Sequence, residues 1–252
     1  MPLCSDRCIC LRKVEYSETS QILALFGRSI GLFRVIAKGA HRRTKAGASR
    51  FDGGIDLLDL GDAVMTDPSM KELATLTDWT LLDGNLDLRR DLRSLHLALY
   101  SIELTGLILH ENDPQPELFD LVYWAIGEFA SSRREEVFVA FQLQLLRQTG
   151  FLPELGACVS CGGALGSARV LFSPQQGGVV CERCPAPEGP RISADAKLIR
   201  ILQTIARLPR SQGIPQRLPK LTRMQTDPVN RLMAEYMRHV LGHDLRVAQY
   251  VI

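Results

Sequence analysis

The chain has 252 residues, of which 46% are hydrophobic and 23% charged, and a formal net charge of +2. These values are typical of a globular protein. The longest apolar stretch, Leu95 to Leu109, is too short and too interrupted to span a bilayer. The first ten residues lack the long apolar region of a signal peptide, and seven cysteines suit a reducing compartment. We therefore expect a cytoplasmic protein.

The small net charge hides an uneven distribution along the chain. Residues 1–50 carry ten Lys and Arg against three Asp and Glu, whereas residues 51–130 carry four against sixteen. Residues 131–252 are basic again, with sixteen against nine. This asymmetry predicts a basic surface for a polyanion beside an acidic surface that faces another partner.

The first eighty residues have the pattern of β-strands. Short runs rich in apolar and β-branched residues alternate with turn residues, and we predict five strands: Arg7–Tyr16, Ser20–Phe26, Gly31–Lys38, Ile55–Met65 and Leu73–Leu82. Five short strands in this length indicate a small barrel, most often an OB-fold. Such barrels commonly bind single-stranded nucleic acid or oligosaccharide.

A basic loop follows the third predicted strand. Residues 38–50 hold five cations and no acid, and they are rich in small residues. We interpret this loop as a phosphate-binding segment, although a solvated basic loop is the alternative. Lys13, Arg34 and Arg12 extend the predicted patch. The candidate DNA-binding residues are Lys13, Arg34, Lys38, Arg42, Arg43, Lys45 and Arg50.

From about Asp87 to Gly150 the periodicity becomes helical. The segment from Leu92 to Leu109 is apolar nearly all round, which predicts a buried helix with Leu92, Leu95, Leu99, Ile102 and Leu109 on one face. Two more helices are predicted, Glu117–Ala130 with Leu118, Val122, Ala125 and Phe129 inside, and Glu135–Gln148 with Phe138, Phe141 and Leu145 inside. Gly150 ends the third helix.

The last third contains two further predicted helices separated by a basic, proline-rich loop. Ser193 is the predicted N-cap of a helix that reaches about Leu208. The last helix is predicted to begin with Asp227 as cap and Pro228 in the first position, and to end at Gly242. Between them, residues 209–226 form a second basic surface or simply a solvated loop.

Four cysteines form the most specific motif in the chain. Cys158, Cys161, Cys181 and Cys184 are spaced C-x2-C, nineteen residues, C-x2-C. This spacing predicts a zinc ribbon, with Val170–Phe172 and Val179–Val180 as a hairpin that returns the second pair beside the first. Two disulfides or four idle thiols are the alternatives. Four thiolate ligands leave no open position for a catalytic water, so the predicted zinc ion is structural.

Several enzymatic motifs are absent from the sequence. It contains no P-loop, no dinucleotide-binding glycine turn and no nucleophile elbow. The run Asp52, Asp56, Asp59 and Asp62 matches no calcium loop, and we interpret it as a solvated strand edge. Cys4, Cys8 and Cys10 are predicted to pack as small apolar side chains. We therefore predict that the protein is not an enzyme.

Taken together, the order of these parts resembles the bacterial RecO family of DNA repair and recombination mediators. The matching segments cover nearly the whole chain: Tyr16–Ser20, Ala37–Arg43, Gly150–Pro153, Cys158–Gly162, Gly177–Cys181 and Leu241–Arg246. The resemblance implies an α+β multidomain protein. Residues 1–82 would form an OB-fold domain and residues 83–252 a helical domain, with a zinc module inserted at residues 155–187.

The resemblance also implies a function. The family binds single- and double-stranded DNA and anneals complementary strands without ATP. It works with RecR on strands coated by single-strand-binding protein, whose acidic C-terminal tail it contacts, and it assists the loading of RecA. We expect the same partners here, a nucleoid-associated location and one structural Zn²⁺. The alternative is a zinc-ribbon adaptor for other proteins with little DNA affinity of its own.

Overall fold

The computed structural model describes residues 2–41, 51, 53–166, 169–185 and 189–252. Met1–Ala130 and Ser131–Ile252 each form a compact unit. Among the described residues, no helix has the length and apolar character needed to cross a membrane.

The first unit is built on a closed five-stranded barrel with the order β1-β2-β3-β5-β4. The strands are β1 Leu3–Ser17, β2 Ser20–Gly27, β3 Gly31–Ala37, β4 Leu60–Thr66 and β5 Ala74–Asp83. The first half of β1 pairs with β4 and its second half with β2, while a short parallel pairing of β3 with β5 closes the barrel. The predicted five-stranded OB-like barrel is confirmed.

The barrel interior is filled by alternate side chains of the strands, including Leu23, Leu25, Phe33 and Val35. The strand thiols join this core as predicted: Cys8 and Cys10 are fully buried, and burial raises the pKa of both. Apolar contact, and not thiol chemistry, therefore accounts for their position.

A buried carboxylate holds the turn between β2 and β3. Asp6 accepts hydrogen bonds from the backbone N–H groups of Ser29 and Ile30 at 2.8 and 2.9 Å. A Cβ at Gly27 would lie 2.4 Å from the same carboxylate oxygen, so glycine is required there. The turn is thus fixed by one side chain of β1.

The fourth strand is shorter than predicted, because it begins at Leu60 and not at Ile55. Residues 55–59 turn instead: Leu58 has a φ of 73°, and its N–H donates to the carbonyl of Cys10. The buried Ile55 and Leu58 made this turn look like a continuation of the strand.

Two helices complete the first unit, α1 Leu92–Ile108 and α2 Pro116–Glu128, after short 3₁₀ turns at Pro68–Met70 and Leu86–Arg90. In α2 the predicted inward residues are buried, and Phe119 packs on Phe26 of the barrel with ring centroids 5.7 Å apart. In α1 the predicted face is only partly right: Ile102 and Leu109 are buried, but Leu92 is 68% exposed, and Leu97 and Leu104, which lie outside that face, are buried. When a helix is apolar nearly all round, the periodicity of its sequence does not show which face is buried.

The second unit contains the remaining elements in chain order. They are α3 Arg134–Gln148, β6 Arg169–Ser173, β7 Gly178–Val180, β8 Ile192–Asp195, α4 Ala196–Ala206, β9 Arg210–Ser211, β10 Ile214–Pro215, α5 Arg223–Leu241 and α6 Ala248–Val251. The buried α3 packs against α4 and α5 and ends at Gly150, whose φ is 82°. Strands β7, β6 and β8 form a three-stranded sheet in that order.

The start of α3 is predicted to within one residue, but the predicted caps of the two later helices are wrong. Helix α4 is capped by Asp195, whose carboxylate accepts from the N–H of Lys197 at 2.8 Å, because Ser193 lies within β8. Helix α5 begins four residues earlier than the predicted cap. Thr222 and Gln225 form a capping box, and Pro228 lies inside the helix. The reciprocal cap of Thr222 and Gln225 forms, and the cap predicted at Asp227 and Pro228 does not.

Candidate nucleic-acid interface and candidate metal centre

The pairing register of β1, β2 and β3 places their outward side chains in rows. Arg12 lies opposite Ala24, which lies opposite Arg34, and Val14 lies opposite Ile22, which lies opposite Ile36. Residues directly opposite in antiparallel strands share one face of the sheet. The row of Val14, Ile22 and Ile36 is therefore apolar, and the neighbouring row has Arg12 at one end and Arg34 at the other.

The helices cover only one half of this outward surface. Ile9, Phe26 and Leu32, which also lie opposite one another, are buried. At the other half, Val14 is 46% and Tyr16 65% exposed, and Lys38 is exposed just after β3. Within the part of the chain that the structure describes, no helix covers this half, which we call the outer barrel face. The pairing places Arg12, Val14, Ile22, Ala24, Arg34 and Ile36 on it, and we include the exposed Tyr16 near the end of β1 and Lys38 just after β3.

The predicted DNA-binding residues do not all lie on this face. Arg34 and Lys38 do, but Lys13 pairs with the buried Leu23 on the opposite side of the sheet. The Lys13 ammonium lies 2.8 Å from Asp56, and this hydrogen bond raises its pKa. The other four candidates, Arg42, Arg43, Lys45 and Arg50, lie outside the described residues.

Opposite charges from distant parts of the sequence meet in the first unit. Cations of residues 1–50 form ion pairs with acids of residues 51–130 at 2.8 to 3.0 Å: Arg7 with Asp62, Lys13 with Asp56, Arg28 with Asp120 and Arg34 with Glu111. The predicted separation into a basic and an acidic surface is wrong at these four cations. The basic side chains of residues 1–50 and the acidic side chains of residues 51–130 neutralise each other in these four ion pairs.

The run of aspartates is also not a solvated strand edge. Asp59 is only 7% exposed and accepts a hydrogen bond from the N–H of Asp56 at 2.7 Å, and burial raises its pKa. Asp56 bridges Lys13 and Arg89. Asp52 lies outside the described residues. Asp56 and Asp59 shape the turn before β4, whereas Asp62 lies within β4 and pairs with Arg7.

His41 connects the two flanks of the predicted basic loop, a role that no sequence pattern indicates. Its Nδ1 lies 2.8 Å from the carbonyl oxygen of Gly53, and its Nε2 lies 2.9 Å from a carboxylate oxygen of Glu15. Both partners can only accept hydrogen bonds, so both ring nitrogens must carry protons. The bond to Glu15 and then the bond to Gly53 raise the pKa of His41 accordingly.

The four predicted metal ligands come together in the second unit. The sulfurs of Cys158, Cys161, Cys181 and Cys184 all lie within 4.8 Å of one another. Two sulfur pairs are 3.8 Å apart, namely Cys158 with Cys184 and Cys161 with Cys181. A tetrahedral zinc ion at about 2.3 Å from each sulfur requires a spacing of about 3.8 Å, whereas a disulfide needs about 2 Å. The cluster therefore fits a metal ion.

Local backbone structure positions these thiols. The Gly162 N–H donates to the carbonyl of Cys158 at 2.8 Å, with a φ of 70° at Gly162 that closes the first turn. Strands β6 and β7 pair as predicted and return the second cysteine pair beside the first. Burial opposes ionisation of Cys158, but backbone N–H groups, led by that of Cys181, outweigh it and lower the thiol pKa to about 6. This favours the thiolate, the form that binds metals.

The cysteine cluster is attached to the helices of its unit through aromatic contacts. Phe172 of β6 is fully buried and meets Tyr236 of α5 edge to face, with ring centroids 5.5 Å apart. The Tyr236 hydroxyl donates to the carbonyl of Phe151 at 2.8 Å. The segment before the cluster, the hairpin and α5 are thus packed as one structure.

Comparison with known proteins covers nearly the whole chain. Residues 1–85 match the family model "Recombination protein O N terminal", and residues 89–247 match "Recombination protein O C terminal". A DNA repair protein RecO from Anaeromyxobacter sp. (strain Fw109-5) is 31% identical over 96% of this chain and 92% of its own length. One from Rhodopirellula baltica is 33% identical over 80% of this chain and 74% of its own length.

A more distant relative, the DNA repair protein RecO of Desulforamulus reducens, is 25% identical over 96% of this chain and 91% of its own length. The same order of barrel, helices and cysteine cluster was expected from the resemblance in the sequence, and the structure contains it. The chain belongs to the RecO family, whose role is in DNA repair and recombination.

Proposed function

We propose that the protein binds single- and double-stranded DNA through the outer barrel face and anneals complementary strands without ATP. The observation that carries this proposal is the uncovered half of the β1–β3 surface, where Val14, Ile22 and Ile36 lie between cations. Cations can neutralise phosphates, while an apolar row and the exposed Tyr16 can contact bases. A strand held in this way keeps its pairing edges free for a complement.

The basic loop extends this surface in the proposal. Arg42, Arg43, Lys45 and Arg50 follow Lys38 directly in the sequence, and His41 and the buried Phe51 hold the flanks of the loop at the barrel. Lys13 also flanks this end of the barrel, although its ammonium is paired with Asp56. Each cation that reaches a phosphate adds to the salt dependence of binding.

We further propose that the cysteine cluster holds one structural Zn²⁺. Cys158, Cys161, Cys181 and Cys184 would be its ligands, and their sulfur spacing supports this assignment. With four protein ligands the ion supplies folding energy and leaves no position for a reacting water. A non-enzymatic role follows from this proposal.

The family relationship supports proposals for partners as well. Residues 1–82 would carry DNA, while residues 83–252, with the zinc module at 155–187, would serve contacts with RecR and with the acidic tail of single-strand-binding protein. Through these contacts the protein would assist RecA loading on coated strands.

The test is ATP-free annealing of complementary oligonucleotides by the full chain, with and without prior coating by single-strand-binding protein. We expect annealing in both conditions, with an affinity for single strands that falls steeply with salt. Absence of annealing in both conditions would contradict the proposal.

A second function remains open, a zinc-ribbon adaptor that docks proteins and has little DNA affinity. The pairing of Arg34 with Glu111 and of Lys13 with Asp56 favours it, because a paired cation attracts phosphate less strongly. In the annealing experiment the adaptor would neither anneal the strands nor show a salt-dependent affinity for oligonucleotides.

A further inference from the structure

The connection between α1 and α2 lies against the edge of β3. Glu111 forms a parallel bridge with Leu32, and the N–H of Asn112 donates to the carbonyl of Leu32 at 2.8 Å. We call residues 110–113 the acidic strap. A Cβ at Gly31 would lie 2.2 Å from the carbonyl oxygen of Asp113, and Gly31 has a φ of 88°, so only glycine permits this approach. Backbone contacts therefore fix the strap, independently of its carboxylates.

From this strap, the Glu111 side chain reaches the outer barrel face. One of its carboxylate oxygens lies 2.8 Å from Nε of Arg34, and the other accepts from a terminal guanidinium nitrogen of Arg34 at 3.4 Å. Two oxygens facing one edge of a guanidinium is the arrangement that a phosphate also adopts. Glu111 thus occupies the place that a backbone phosphate would take on Arg34.

The pair is exposed enough to be opened by a competing ligand. The Arg34 and Glu111 side chains are 51% and 41% exposed. Exposed ion pairs are weak, so a phosphate can displace the carboxylate. Because the strap backbone stays in place, however, the displaced carboxylate remains close to the DNA.

We propose that Glu111 is an internal competitor for DNA phosphates, which lowers the affinity of the outer barrel face and weakens its dependence on salt. This inference rests on the proposed DNA-binding function. The carboxylate charge offsets the charge of Arg34, so the pair together neutralises little of the DNA charge. Such a competitor keeps binding to single strands reversible, as an annealing protein requires if it is to release the duplex.

The test compares variants of the full chain by titrating a fluorescent thymidine oligonucleotide at several salt concentrations. Glu111→Gln removes the competing charge and keeps the side-chain shape. We expect it to bind roughly two- to fivefold more tightly at low salt. Its plot of log affinity against log salt should be steeper by about 0.7.

The matched control is Asp87→Asn. Asp87 is an exposed acid of the same unit that pairs only with its neighbour Arg90 among the described ion pairs, so it makes the same charge change away from the outer barrel face. We expect little change in its affinity or slope. Equal gains in Glu111→Gln and Asp87→Asn would overturn the inference, since they would reflect net charge alone.

The decisive measurement is Arg34→Ala in two backgrounds. We expect a small loss of affinity in the natural chain and a larger loss in the Glu111→Gln background, where Arg34 is released. Equal losses would overturn the competitor role while leaving DNA binding by Arg34 intact. No loss in either background would instead contradict the proposed role of Arg34 itself. Thermal unfolding checks that each variant is folded, and Glu111→Ala replaces Glu111→Gln if that variant is not.

Discussion

The cysteine cluster and the outer barrel face were both predicted from the sequence, but they differ in how far the sequence could define them. All four metal ligands lie within 27 residues of one another, and two turns and one hairpin are enough to bring them together. The outer barrel face joins three strands and is limited by two helices that come later in the chain. The spacing of the cysteines in the sequence can specify the metal site. The outer barrel face depends on the register of the strands and on which helices cover the barrel.

The largest expected effect tests the cysteine cluster. Cys161→Ser removes one of four thiolates, and because metal binding supplies folding energy directly, we expect loss of zinc and unfolding of residues 155–187. Metal analysis and amide hydrogen exchange measure the two effects. Cys4→Ser is the matched control, since Cys4 is a half-buried barrel thiol outside the cluster. A Cys161→Ser variant with full zinc content and natural exchange protection would contradict the structural role.

A β-bulge shows why the second site could not be defined from the sequence. Cys8 and Cys10 point into the barrel, but the register shifts between Cys10 and Arg12. The bulge reverses the alternation, so that Lys13 takes the inner side and Arg12 the outer one. A regular alternation of the strand would instead place Arg12 inside and Lys13 outside, the reverse of the observed arrangement.

The remaining differences have similar causes. The start of α5 was predicted at Asp227, but the Thr222–Gln225 box caps the helix earlier. The partners of Arg34 and Lys13 are 77 and 43 residues away in the chain, beyond the reach of any local pattern. By contrast, the predicted core residues of α2 and α3 are buried; α2 is apolar on one side, and α3 is buried on all sides.

The second-largest expected effect tests whether the basic loop beside the outer barrel face binds DNA. Replacing Arg42, Arg43 and Lys45 together with Ala should reduce the salt slope of single-strand binding by about 2, because each lost phosphate contact removes about 0.7. Oligonucleotide titrations at several salt concentrations measure the slope. Replacing Arg238, Arg246 and Lys220 of the second unit with Ala is the control for net charge. An unchanged slope in the loop variant would exclude the loop from the interface.

A smaller effect is expected at Tyr16. If bases stack on its exposed ring, Tyr16→Ala should weaken single-strand binding by about 1–3 kcal/mol with little change in the salt slope. Tyr16→Phe keeps the ring and should bind normally. Tyr123, exposed on α2, provides the control in Tyr123→Ala. A loss of affinity equal in Tyr16→Phe and Tyr16→Ala would argue against stacking.

The smallest expected effect concerns pH and the anchoring of the loop by His41. The bonds from His41 to Glu15 and Gly53 raise the pKa of the imidazole, while nearby Lys13 opposes this shift. The stabilisation is therefore complete below the unfolded pKa of about 6.5 and is lost as the pH rises through the higher folded pKa. Because the pair is largely exposed, we expect a loss of less than about 1 kcal/mol in the free energy of unfolding.

Urea unfolding at a series of pH values measures this loss. His41→Gln cannot gain a proton, so its stability should stay flat where that of the natural chain declines. His243→Gln, at an exposed position after α5, should retain the natural profile. If the decline persists in His41→Gln, another group is responsible. If it disappears and DNA affinity loses the same pH dependence, DNA binding depends on a single imidazolium at the barrel, whose contacts join Glu15 to Gly53 across 38 residues of sequence.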